Sequence, residues 1–397
     1  MPDKITVNDK RKLSMKSRLV ICRSNPIAPD PRVEKEARTL NQAGHDVTLI
    51  GWDRTGKLPQ KDKIQGISCI RLPIKAEYAA GMLNLAQLIR WQWGLLIWLV
   101  IHRHEYDLIH ACDFDTIIPA LVCRAIWHKK VVYDIFDFYA DHLRATPEWI
   151  KNTIRAVDLR CVSTADAVIL ADDSRWNQIR GSQPRISTVI YNSPEDDQYN
   201  PQDGNSKDQT FTQRPVNSLL HIVYIGLLQV ERGLFELIGV LRKHPRWSLS
   251  LAGFGGDEVQ ILEQLQDMPN ANWHGRISYQ EALQLSSAAD TLIATYDPTI
   301  PNHRYSSPNK VFEAMMLGKP IIVAEDTNMD RIISEAECGL VVKYGDASVL
   351  ESALLRLETE TELCQRFGAN AREAYESTYS WKIMQERLLT LYADLGF

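Results

Sequence analysis

The chain has 397 residues, 45% of them hydrophobic and 24% charged; this is ordinary globular composition on a chain too long for one compact core, so two domains are expected. Twenty glycines and 18 prolines exclude collagen-like, mucin-like and low-complexity chains. A net charge of −5, from 45 Lys+Arg against 50 Asp+Glu, argues against nucleic acid as a partner, which normally needs a basic surface.

Residues 1–18 are polar and basic with no apolar core, which reads as a loosely attached arm and not a signal peptide. The charge is uneven: residues 1–130 carry 21 Lys+Arg and 13 Asp+Glu, the remainder 24 and 37, which suits one end of the molecule to an anionic surface. Seven scattered cysteines with no C-x-x-C pair argue against a disulfide framework or structural zinc and fit a reducing cytoplasm.

From residue 19 onward, short Val/Ile-rich runs alternate with amphipathic stretches, the pattern of repeated βα units on a parallel sheet. In the first domain, residues 19–193, strands are expected at 19–22, 46–50, 67–71, 107–110, 130–134, 167–170 and 187–190. The first helix is marked by Asp30 as its cap, Pro31 in its first turn and Gly44 at its close. The stretch 78–101, opening on Tyr78 and closing on Ile101, has one charge, Arg90, and three tryptophans. Its uncharged part is too short to span a bilayer; it is either a helix buried against the sheet or an interfacial helix facing an anionic membrane surface.

Residues 194–217 contain almost no aliphatic side chains and many turn formers, the composition of a linker. A second alternation, residues 218–378, places strands at 219–225, 248–252, 291–294, 320–324 and 339–342. A final helix, residues 379–397, follows. Two doubly wound domains would enclose a cleft at the carboxyl ends of their sheets, where such folds bind ligands.

The most informative string is SSPNKVFEAMMLGKPIIVA, residues 306–324. Ser306 or Ser307 can cap a helix with Pro308 in its first turn, running to Gly318. Lys310 and Glu313 then share one face near free backbone N–H groups, so Lys310 can meet a phosphate and Glu313 can accept hydrogen bonds from sugar hydroxyls.

This string resembles the second domain of retaining GT-B glycosyltransferases of the "group 1" type, glycosyltransferase family 4. DPRVEKEARTLNQAGHDVTLIGWDR, DLIHACDFDTIIPA, VVYDIFDFYAD, VIYNSPED, YIGLLQVERGLFELI, LAGFGGDE, NWHGRISYQEAL and IATYDP are similar to that family's segments, in its order. The resemblance implies a GT-B fold of two Rossmann-like domains facing a central cleft, the first on the acceptor side and the second binding the nucleotide sugar, with the final helix crossing back to the first. It implies sugar transfer from a nucleotide-sugar donor to an acceptor hydroxyl, with retention and without a metal or other cofactor. The acceptor expected is lipid-linked or a polysaccharide or glycoconjugate intermediate, at a cytoplasmic location peripheral to the inner face of the cell membrane. A non-hydrolysing nucleotide-sugar epimerase and a catalytically silent subunit of a polysaccharide-assembly complex are the alternatives.

The resemblance also assigns roles. Arg232 and Lys310 are expected to hold the departing diphosphate, with Gly226, Gly253 and Gly255 allowing close backbone approach and Ser307, Asn309 and Glu313 completing the donor side. Arg276 and Ile277 would flank the nucleobase through their main chain. His110, ending a strand, would project into the cleft, with Asp113, Asp115 and Asp137 beside it on the acceptor side. Asp137 would orient His110 or bind an acceptor hydroxyl. Asp113-Phe114-Asp115 mimics the metal-binding D-x-D of the other glycosyltransferase fold, a reading excluded by the second-half pattern. Three departures stand out: Tyr305 where the family's E-x7-E has its first Glu, Leu227 where an arginine often follows the loop glycine, and NPIAPD in place of paired glycines in the first loop.

Overall fold

The computed structural model describes residues 17–77, 85–143, 146–196 and 220–397. The expected arm, as far as residue 16, and the expected linker, from residue 197, lie outside the described residues, as do 78–84 of the Trp-rich stretch. The chain divides into two compact units, Met1–Ile190 with Gln385–Phe397, and Tyr191–Met384. Residues 194–196 belong to the second: the Pro194 carbonyl accepts from the Tyr375 hydroxyl at 3.0 Å, and Asp196 pairs with Arg372 at 2.5 Å.

The first unit is built on eight strands: β1 (Arg18–Arg23), β2 (Asp46–Asp53), β3 (Lys61–Ile64), β4 (Ile67–Pro73), β5 (Leu108–Cys112), β6 (Lys130–Ile135), β7 (Ala167–Leu170) and β8 (Ser187–Val189). Their order is β3-β4-β2-β1-β5-β6-β7-β8, all parallel except β3, which pairs antiparallel with β4. The alternation of apolar runs anticipates seven of these. It misses β3, whose Lys-Asp-Lys carries no apolar signal because it lies at the sheet edge, where charge blocks pairing with other chains; Gln65 and Gly66, at φ 50° and 85°, turn it into β4.

The helix Pro31–Gln42 starts as the sequence predicts, with the Asp30 carboxylate accepting from Val33 N–H. One face of the sheet is covered by the helices Leu85–Ile101, Phe114–Trp127 and Glu148–Thr164. Their Trp91, Leu95, Leu99, Ile117, Ala120, Cys161 and Val162 join Val20, Trp52, Ile109, Ala111 and Tyr133 in one core. Trp91 anchors the first of these helices: it stacks on Trp52 with ring centroids 5.4 Å apart, and its indole N–H donates to the Asp115 carbonyl at 3.1 Å.

The second unit holds β9 (His221–Leu227), β10 (Ser248–Phe254), β11 (Ala271–Trp273), β12 (Thr291–Ala294), β13 (Ile321–Ala324) and β14 (Gly339–Val342). The order is β11-β10-β9-β12-β13-β14, parallel throughout. β11 is three residues long with two of them exposed, so it too lacks a sequence signal. Both sheets are α/β with Rossmann-like cores, and each has a point where neighbours are not consecutive in the chain: β1 beside β5, and β9 beside β12. Loops leaving adjacent strands in opposite directions open a crevice there, which is where such sheets take ligands.

Candidate active site

In the second unit the loops after β9 and β12 carry the expected cations. Gly226, at φ 154°, lies near the end of β9; a Cβ there would stand 3.0 Å from the Lys310 ammonium, so its lack of a side chain makes room for the cation. The chain runs on to a short 3-10 turn, Val230–Arg232, and Gly233 opens the helix Leu234–Lys243. Thr295, just after β12, donates its hydroxyl to the Arg232 carbonyl at 3.1 Å and ties the two loops together.

Tyr296 is the meeting point. The Arg232 guanidinium lies 3.8 Å from its ring centroid and the Lys310 ammonium 5.5 Å, while that ammonium is 3.9 Å from the Tyr224 ring. The Lys310 ammonium and Arg232 Nε are buried and have no hydrogen-bond partner among the described residues. A cation over a desolvated aromatic ring gains on the order of 2 kcal/mol, far less than hydration or a carboxylate would supply. Burial, then the neighbouring Arg232, lower the Lys310 pKa to about 7, against the opposing pull of Glu313. Two cations converging on one tyrosine, with no salt-bridge partner among the described residues, make a place whose electrostatics an anion would satisfy.

Lys310 stands in the first turn of the helix Asn309–Met316. The expected start and end of this helix are corrected: Pro308, not Ser306 or Ser307, is the cap, and the helix ends before Leu317, with Gly318 in the left-handed conformation at φ 62°. The Ser307 side chain is turned inward, its hydroxyl buried without a partner among the described residues, and its carbonyl accepts from Asn192 at 3.1 Å. Asn309 is exposed. The helix therefore begins without a side-chain cap, and the Val311 N–H donates to the Pro308 carbonyl at 3.1 Å. Glu313 is bonded to the Tyr279 hydroxyl.

The β10 loop meets β9 closely: a Cβ on Gly253 would lie 1.8 Å from the Gly226 carbonyl oxygen, and one on Gly255 2.1 Å from that of Leu228. These two glycines serve strand-to-strand approach. Beyond them, the exposed Arg276 guanidinium stacks 4.1 Å from the Phe254 ring centroid, and Ile277 is half-buried next to it.

In the first unit a cavity of about 280 Å³ opens at the β1/β5 crevice, lined by Arg23, Ser24, Asn25, Arg54, Asp113, Asp115, Asp137 and Tyr139. Its three acids are not equivalent. Asp113 binds Arg23 and accepts from the Phe136 N–H at 2.8 Å; burial raises its pKa against the pull of Arg23. Asp137 pairs with the buried Arg175 at 2.7 Å. Asp115, only 8% exposed, has no side-chain partner among the described residues, and burial together with Asp115 pushes the nearby Tyr139 hydroxyl up to about 12.

The expectation for His110 is corrected. It lies inside β5 rather than at its end and is wholly buried. The strand's alternation turns Ile109 and Ala111 to the three-helix face and His110 to the other, where its Nδ1 bonds the Tyr392 hydroxyl at 2.8 Å and its Nε2 lies 3.4 Å from Asp134 and 3.7 Å from Glu36. Its orienting carboxylate is thus Asp134, not Asp137. Arg32 completes the network, reaching Asp134 at 2.8 Å, Glu36 at 3.2 Å and the Ile190 carbonyl at 2.6 Å. Burial raises the Glu36 pKa, and Asp134 beside it raises it further; burial also opposes ionisation of Asp134, but Arg32 and His110 outweigh it and hold its pKa low. His110, Cys112 and Asp134 bring ligand atoms within 4.8 Å of one another, but the Asp134 carboxylate is already engaged by Arg32.

Two families match the chain in succession: residues 29–187 fit a "Glycosyl transferase 4-like domain" and residues 207–374 fit "Glycosyl transferases group 1". The chain belongs to the group 1 glycosyltransferases. It is 21% identical over 300 residues to a glycogen synthase of Mycobacterium tuberculosis, covering 72% of this chain and 68% of that protein. The fold is shared with sucrose-phosphate synthase of Thermosynechococcus elongatus, at TM-score 0.77 and 17% identity over 96% of this chain and 99% of that one. It is shared too with Anabaena Alr3699/HepE, solved with UDP and glucose, at TM-score 0.71 and 16% identity over 95% and 100%. These are GT-B proteins, and this chain is a nucleotide-sugar-dependent glycosyltransferase.

Within this glycosyltransferase, Tyr224 and Tyr296 are site residues that sequence reasoning missed: nothing in VYIGL or IATYDP marks a tyrosine as the floor beneath a cation until β9 and β12 are adjacent. Tyr305 caps the short helix Pro301–Arg304 and is half-buried. Leu227 is 42% exposed beside the β9 loop, leaving Arg232 as the guanidinium of that loop.

Proposed function

We propose that the enzyme transfers a sugar with retention and without a metal, from a nucleotide-sugar donor to a hydroxyl of a lipid-linked or polysaccharide acceptor at the cytoplasmic face of the cell membrane. The observation that carries this reading is the convergence of Lys310 and Arg232 on Tyr296, with the Lys310 ammonium and Arg232 Nε unbonded among the described residues. As the bond between the anomeric carbon and the diphosphate stretches, negative charge grows on the departing oxygen. Two preorganised, buried cations would stabilise that charge more than they stabilise the intact donor, which is the condition for catalysis. Arg276 and Ile277 would border the base. In the first unit Asp115 is the acid left to accept a hydrogen bond from an acceptor hydroxyl.

The test is thermal shift with UDP-, GDP- and ADP-sugars: one base series should raise the melting temperature, and no rise with any of them would overturn the donor site. Proton linkage supplies a second check. Lys310 titrates near pH 7 when the site is empty and gains a counter-charge when a diphosphate binds, so its pKa rises in the complex. Affinity for the nucleoside diphosphate should then be highest below pH 7 and fall by about tenfold per pH unit above it. Calorimetry in buffers of different ionisation enthalpy should register proton uptake at pH 8. For the acceptor side, Asp115→Asn should raise the acceptor KM about tenfold and leave donor hydrolysis unchanged, as loss of a hydrogen bond made only to the acceptor predicts.

A further inference from the structure

The helix Leu85–Ile101 has two apolar sides. At 100° per residue, Trp91, Leu95 and Leu99 form the side buried in the core. Leu85, Ile89, Trp93, Ile97 and Ile101 form the opposite side, 47%, 50%, 61%, 55% and 65% exposed. A helix without a polar face belongs in a core or a membrane boundary, and an apolar strip of this length on a surface marks something that covers it. We propose that this strip seats the first unit on an anionic lipid surface, with the helix lying in the plane of the headgroups; this rests on the membrane-surface reading above and identifies the residues that make the contact.

Charge selects lipid over a second copy of the chain. The helix contains no Asp or Glu; Arg90 lies at the edge of the strip, and Arg103 follows just past its end. Neither has a carboxylate partner among the described residues: Arg90 donates to Gln87 at 3.2 Å, and Arg103 to the Val100 carbonyl at 3.0 Å. A two-fold contact through this face would set these cations against their own copies with no acid from the helix between them, whereas phosphate headgroups meet them directly. Trp93, amphipathic and outward, is the residue type that settles at headgroup depth. The neighbouring helices on the same sheet face expose Ile126 and Trp149, at 58% and 72%. No helix among the described residues is long and apolar enough to cross a membrane, so the contact is adsorption.

The experiment is co-sedimentation of the full chain with phosphatidylcholine vesicles, with and without phosphatidylglycerol, for the wild type, for the triple variant Ile89→Asp, Trp93→Asp, Ile97→Asp, and for Arg90→Gln with Arg103→Gln. The wild type should bind phosphatidylglycerol vesicles and be released by salt. The triple variant should bind about tenfold or more weakly, and the arginine variant should bind more weakly and lose most of the salt dependence. All three substituted apolar residues are exposed, and an unchanged melting temperature confirms the fold. No binding by the wild type, or equal binding by the triple variant, overturns the proposal. A concentration-dependent dimer that the triple variant abolishes, without vesicle binding, also overturns it and assigns the strip to a second copy. The thermal shift with nucleotide sugars is read on the same samples. A triple variant that loses vesicles but keeps its donor response leaves the donor site standing, and a wild type that binds vesicles but no nucleotide sugar removes the donor site alone.

Discussion

Lys310→Met is expected to lower turnover by about 10²-fold or more while leaving the protein as stable as before, or more so. The loss follows, on the proposed mechanism, from removing one of the two charges that would act on the departing diphosphate. The stability half follows from burial. A pKa of about 7 means that the folded protein holds the ammonium against desolvation, a cost of at most about 5 kcal/mol. The folded pKa lies below the unfolded one, so this cost is fully present below pH 7 and is relieved as pH rises toward the ordinary lysine value. The stability gained by Lys310→Met should therefore be largest at pH 6 and shrink by pH 9. Steady-state kinetics beside urea denaturation at the two pH values checks both halves. A variant that is destabilised, or one with normal turnover, would make Lys310 a structural residue. Arg232→Ala should match the turnover loss, since its guanidinium shares the Tyr296 ring.

The second large effect is expected in the polar core of the first unit. Arg32→Met should destabilise the first unit by about 3–5 kcal/mol, because it leaves Asp134 and Glu36 buried without their cation. Adding Asp134→Asn to Arg32→Met should recover part of that loss, a non-additivity that a double-mutant cycle in chemical denaturation measures. Additive losses would show that the two side chains do not depend on each other. Nucleotide binding by the second unit should persist in both variants, which separates this polar core from the donor site.

The parallel β-α alternation and the start of the first helix were legible in the chain, because each rests on local signals. Buried parallel strands read as Val/Ile runs, and Asp30-Pro31 is a helix start on its own. What escaped was set by contacts between distant segments. His110 looked like a cleft residue because its strand seemed to end there. Two further residues of β5, and a tyrosine 282 positions away, put it in the core instead. The three aspartates of the β1/β5 cavity looked alike in sequence, and only their partners, Arg23 for one, Arg175 for another and none for Asp115, set them apart.

The sequence by itself determined which segments become strands and helices, and which cations and glycines sit in the loops at their ends, since periodicity and capping act over a few residues. Tertiary structure alone decided which of those groups meet. It buried the Lys310 ammonium with no hydrogen-bond partner among the described residues, set Arg232 and Lys310 over one tyrosine, and left one side of the helix Leu85–Ile101 exposed. Desolvation and pairing are properties of neighbours in space, and a parallel sheet brings its neighbours from far along the chain.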